Sequence, residues 1–69
     1  MNAKEIRDAL KSAESVGKNL YMKASRPPSM PEHWFRVVGA KLERGMLLVK
    51  VLPSGGFVPV AKDAIFDAR

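Results

Sequence analysis

Apolar side chains recur at Ala3, Ile6, Leu10, Ala13 and Val16, at spacings that place them on one narrow stripe of a helix. Residues 2–17 are therefore expected to form an amphipathic helix. Asn2 is a good N-cap, and Glu5 falls in the reciprocal position of a capping box. Gly17 suits the left-handed position that ends a helix, and Lys18 complements the negative end of the helix dipole.

Beyond Lys18 the period changes from helical to alternating. Over residues 19–25, Leu20, Met22 and Ala24 share one face, with Tyr21, Lys23 and Ser25 on the other, the pattern of a half-buried strand. Residues 26–31 carry three prolines and read as an extended loop, because proline removes donors from a ladder and fixes φ. Residues 33–43 predict a long strand with a phase change. Phe35 and Val37 face inward first, then Ala40 and Leu42, and Gly39 marks a bulge that bends the strand. Glu43-Arg44-Gly45 predicts a tight hairpin with Gly45 at positive φ. In residues 46–52, Leu47, Val49 and Val51 point inward, while Met46, Leu48 and Leu52 share the outer face with Lys50. A turn at Pro53-Ser54-Gly55-Gly56 leads to a short strand at 57–60, which Pro59 confines to an edge or an end. Asp63 is placed to cap one helical turn, and Ile65-Phe66 to close the structure. The expectation is a single α+β domain over residues 1–69: an N-terminal amphipathic helix, then a small, strongly bent antiparallel barrel of about five strands over 19–67.

Three stretches carry a resemblance to a known architecture. They are Trp34-Phe35-Arg36-Val37-Val38-Gly39, Leu47-Leu48-Val49-Lys50-Val51, and Gly56 through Ile65, which reads Gly-Phe-Val-Pro-Val-Ala-Lys-Asp-Ala-Ile. From Trp34 onward the chain resembles the SH3-like small barrel and its Tudor and KOW-type relatives, over about half its length. The resemblance implies a five-stranded barrel with a long bent second strand. It implies neither a proline-peptide groove nor a methyl-lysine cage, because the ALYDY-like opening, the acidic loops and the aromatic cluster are missing here.

Composition narrows the function classes. The chain has 69 residues, no Cys, one His and one Trp, which leaves no disulfide framework and no thiolate metal cage. No metal or cofactor is expected. His33 is the sole base suited to a hydrolytic triad, and it reads as a surface residue beside the Pro-rich loop. Gly55-Gly56 has no following Lys-Ser/Thr and no opening helix, so it is no phosphate loop. A non-enzymatic protein is expected. No apolar stretch approaches the ~20 residues of a membrane span, and the charged N-terminus does not read as a secretory signal. The expected setting is cytoplasmic.

The net charge of +5 is unevenly placed. Residues 19–50 hold Lys23, Arg26, Arg36, Lys41, Arg44 and Lys50 against Glu32 and Glu43, whereas the segments on either side are close to neutral. A local basic excess points to an acidic partner, of which nucleic acid is the commonest. Alternation puts Tyr21, Lys23, Arg36, Lys41 and Lys50 outward, and Arg26 stands at the loop. Trp34 alternates with them, and either stands out of this face, covers a barrel end or packs under the helix. Basic groups interleaved with aromatics suit phosphate neutralisation combined with base stacking. The same Arg36 and Lys41 also suit the blunting of a strand edge.

The Met46, Leu48 and Leu52 strip raises a second expectation. An apolar strip on an outer face is covered by the helix or forms a protein interface. The helix is the expected cover; a helix packed elsewhere leaves the strip open and favours a homodimer over a monomer. The two functions carried forward are a nucleic-acid (DNA- or RNA-) binding protein and a protein-binding adaptor or inhibitor. The second would dock on an acidic surface of a larger partner, as small proteins carried by phages and plasmids do.

Overall fold

The computed structural model describes residues 2–26 and 30–69, with side chains described over 2–23 and 33–69. The chain runs α1 (Ala3–Ser15), β1 (Leu20–Arg26), β2 (Met30–Glu43), β3 (Met46–Leu52), β4 (Phe57–Pro59) and β5 (Ile65–Ala68). The class is α+β, with one helix and one antiparallel sheet among the described residues, in the order β4-β3-β2-β1-β5. Strands β4 and β5 lie at opposite ends of this order and pair with β3 and β1 respectively, so the sheet is not closed into a barrel by backbone pairing.

Helix α1 starts and stops where its sequence directs. The Asn2 side chain accepts from the Glu5 N–H at 2.8 Å, and the Glu5 carboxylate accepts from the Asn2 N–H at 3.0 Å. These reciprocal bonds satisfy two amide groups that the first helical turn leaves unpaired. At the other end Gly17 has φ 70°, the Lys18 N–H bonds to the Ala13 carbonyl and the Gly17 N–H to the Glu14 carbonyl. That pair of bonds is the Schellman motif. The helix stops at Ser15, so Val16 is its C-cap and turns outward at 64% exposure instead of completing the apolar stripe.

The buried face of the sheet is built by alternation. Leu20 and Met22 from β1, Val37 from β2, and Val49 and Val51 from β3 form one cluster with Ile6 of the helix. The β2 bulge lies between Val37 and Gly39, with Val38 as the extra residue. Before it Arg36 pairs with Leu52 on the outer face; after it Gly39 pairs with Lys50 on that same face. One inserted residue thus keeps the inward set in phase while the strand bends.

Three sequence expectations are corrected. The helix does not cover Met46, Leu48 and Leu52: its Ile6 packs on the opposite face, because Val49 and Val51 there share the core with Leu20, Met22 and Val37. The ladder between β1 and β2 extends to Arg26 opposite Met30, so β2 begins before His33 and includes Pro31. Pro31 falls where the register shifts between Ala24 and Arg26, a place where a missing donor is tolerated. The rest of the expected loop, Pro27, Pro28 and Ser29, lies outside the described residues. The expected helical turn near Asp63 is a single turn closed by the Ala64 N–H on the Ala61 carbonyl, since only five residues separate β4 from β5.

The β2–β3 hairpin places both central residues at positive φ, Arg44 at 51° and Gly45 at 74°. Such a turn matches the twist of the strands, but Arg44 has no side chain suited to the left-handed region. Arg44→Asn is expected to raise stability by about 0.5–1 kcal/mol, read as an upward shift in the thermal midpoint. A lowered midpoint would show that the arginine contributes more than its strain costs.

Candidate nucleic-acid interface

Antiparallel pairing sets residues side by side across the sheet, and partners point to the same face. Four rows follow on the face opposite the helix. Ile65, Lys23 and Trp34 form the first, and Asp67, Tyr21, Arg36 and Leu52 the second. Gly39, Lys50 and Phe57 form the third, and Lys41, Leu48 and Pro59 the fourth, with Glu43 and Met46 beyond them at the hairpin. Nine sequence-predicted site residues, Tyr21, Lys23, Trp34, Arg36, Lys41, Lys50, Met46, Leu48 and Leu52, therefore occupy one face. Arg44 is at the hairpin tip, and the side chain of Arg26 lies outside the described residues.

Trp34 is half-buried and is not under the helix. Its ring carries the Arg69 guanidinium at 4.2 Å from the centroid and the Lys23 ammonium at 5.8 Å. Arg69 is held there from two sides. Its side chain bonds to the Asp67 carboxylate at 3.0 Å, and its backbone exchanges hydrogen bonds of 2.8 and 2.9 Å with Asn19. At the far corner the Lys41 ammonium lies 4.1 Å from the centre of the Phe57 ring and 2.8 Å from the Glu43 carboxylate.

The charge balance of the face follows from these contacts. Among the described residues it presents Lys23, Arg36, Lys41, Lys50 and Arg69 against Asp67 and Glu43, and these two carboxylates are engaged by Arg69 and Lys41. Among the described residues no carboxylate lies within ion-pairing distance of Arg36 or Lys50. Arg36 also borders a cleft of about 100 Å³ with Leu10, Glu14 and Val38, beneath the end of the helix.

Edge protection does not account for most of these cations. Lys23 lies between Trp34 and Ile65, Arg36 between Tyr21 and Leu52, and Lys50 between Gly39 and Phe57, each flanked by a paired strand on both sides. Lys41, on a stretch of β2 beyond the end of β1, and Arg69, at the end of edge strand β5, each have a paired strand on one side. Cations on interior strands are not needed to block strand addition.

Two residues of this face, Arg69 and Phe57, escaped the sequence reading. Arg69 counts in the sequence only toward the neutral balance of the C-terminal segment, and it joins this face because β5 pairs with β1 and brings it to Trp34. The signal was the alternation Ile65, Asp67, Arg69, which continues the outward phase. Phe57 is placed by the sequence only in a short edge strand; it pairs with outward Lys50 and is 43% exposed. His33 is exposed and packs edge-on against Phe35 at 4.7 Å, on the inward phase and away from this face.

Among the described residues no helix is long and apolar enough to cross a membrane. Comparisons with protein-family models, curated proteins and solved structures find no match to this chain.

Proposed function

We propose that this is a small, non-enzymatic nucleic-acid-binding protein whose binding surface is the outer face of an SH3-like sheet. The observation that carries the reading is convergence. Lys23, Trp34, Arg36 and Lys50, spread over three strands, share one face, and three cations there are flanked on both sides by paired strands. The long bent second strand and the return of β5 to β1 support the SH3-like assignment. Arg36 and Lys50 neutralise phosphates without first giving up an ion pair, Lys23 adds a third cation beside Trp34, and Trp34 and Tyr21 offer ring surface to bases.

The test is equilibrium binding of a labelled single-stranded oligonucleotide, followed by anisotropy across a salt series. Three phosphate contacts give an expected slope of log K against log salt of about −2, from about −0.7 per contact. Arg36→Ala is expected to make that slope shallower by about 0.7. Absence of binding at micromolar protein and low salt contradicts the proposal.

A second reading is favoured by one observation. Met46 is 53% exposed, and Leu48, Pro59 and Phe57 continue its apolar surface on a face the helix leaves uncovered. In that reading the strip anchors an acidic protein partner and the cations steer its approach. A partner captured from lysate that survives nuclease and is lost on Met46→Asp supports it; a partner lost on nuclease treatment supports nucleic acid.

A further inference from the structure

We infer that the outer face is built for a single strand of nucleic acid, with Phe57 acting as a second base-stacking platform alongside Trp34; the inference rests on the nucleic-acid reading above. The two rings share an arrangement that scattered surface aromatics need not have. Each lies on the outer face with a cation over its ring, Arg69 on Trp34 and Lys41 on Phe57, and each cation is tethered by a neighbouring carboxylate. Stacking on a base is the stronger contact, so an arriving base displaces the cation, which remains within reach of the adjoining phosphate.

The spacing fits an extended strand. Phe57 is two strands from Trp34 and about four residues further along the sheet. At ~4.8 Å between strands and ~3.3 Å per residue, the rings are roughly 16 Å apart along the surface. At the ~3.4 Å rise of a stacked strand this gap takes about five nucleotides, and fewer if the strand is unstacked. Arg36 and Lys50 lie between the two rings. Gly39, beside Lys50, puts no side chain on the floor of that path, so a phosphate or sugar can approach the backbone closely.

A duplex cannot use this surface in the same way. Its bases are already stacked and present only edges, and reading those edges takes a helix or ribbon inside a groove. Here α1 packs on the other side of the sheet, and among the described residues no helix lies on the basic face.

The inference is tested with oligothymidylates of roughly three, six and twelve nucleotides, a duplex of about twelve base pairs, and an oligouridylate arm that separates RNA from DNA as the source. Expected are a gain of about tenfold or more between the shortest and longest thymidylates, and a duplex about tenfold weaker than the single strand of equal length. Phe57→Ala is expected to lose about tenfold on the longest oligonucleotide and almost nothing on the shortest, while Phe57→Tyr, which keeps the ring, restores binding. Phe57 is well exposed, so these substitutions leave the core intact. Equal affinity for duplex, or wild-type binding of the longest strand by Phe57→Ala, overturns this inference and leaves the nucleic-acid reading standing. Failure of wild-type protein to bind any of the probes overturns the nucleic-acid reading itself.

Discussion

Replacing Ile6 by alanine is expected to destabilise the fold by about 3 kcal/mol. Ile6 is fully buried, and it is the helix residue that joins Leu20, Met22, Val37, Val49 and Val51 in one cluster. Truncation removes transfer energy and leaves a cavity beneath the helix, which the sheet cannot close without losing its register. For a domain of this size the loss corresponds to a fall in thermal midpoint of roughly 12–24 °C. Since small domains have only about 5 kcal/mol of net stability, the variant should be close to unfolding at ordinary temperatures. Val16→Ala is the internal control. Val16 belongs to the same sequence stripe but is mostly exposed, so its truncation should move the midpoint by a few degrees at most. Equal effects at the two positions would show that the helix packs differently from this account.

Replacing Trp34 by alanine is expected to weaken single-strand binding by about five- to 150-fold, the equivalent of ~1–3 kcal/mol of base stacking. The substitution removes no charge, so the salt slope should hardly change while affinity falls at every salt concentration. Arg36→Ala should do the reverse, with a modest loss in affinity and a clear loss in slope. Trp34→Phe keeps a stacking face and a seat for Arg69, so it should retain most of the binding. A Trp34→Ala protein that binds as tightly as wild type would leave the face as a purely electrostatic surface.

Much of this architecture is legible in the sequence where the signal is local. Asn2 and Glu5 specify the helix start, Gly17 specifies its stop, and the alternation around Met22 and Val49 assigns inner and outer faces correctly. The phase change at Gly39 marks the bulge because the inward set must stay in step across one inserted residue. Signals fail where both alternatives satisfy the same pattern. Strand β3 is apolar on both faces, Leu47, Val49 and Val51 on one and Met46, Leu48 and Leu52 on the other. Periodicity therefore cannot say which face receives the helix. The choice is made by the neighbouring strands, where Leu20, Met22 and Val37 complete one face with apolar side chains while Tyr21, Lys23 and Arg36 fill the other.

The candidate site divides in the same way. Its strand residues are readable because alternation aligns Lys23, Trp34, Arg36 and Lys50 before any pairing is known. Arg69 and Phe57 enter through pairings between distant segments, β5 with β1 and β4 with β3, which no local pattern encodes. Edge blunting does not explain Arg36, because the strand order places a paired strand on each side of it.

The face around Trp34 is proposed to receive nucleic acid, and the chain contains a single tryptophan, which makes the indole its own reporter. Intrinsic fluorescence should therefore be followed as a single-stranded oligonucleotide is added at low salt, then again after salt is raised. Saturable quenching of Trp34 is expected as bases stack on the ring, reversed by salt as phosphate contacts are lost. Binding detected by another probe with no change in Trp34 emission would contradict it, as would a complete absence of binding.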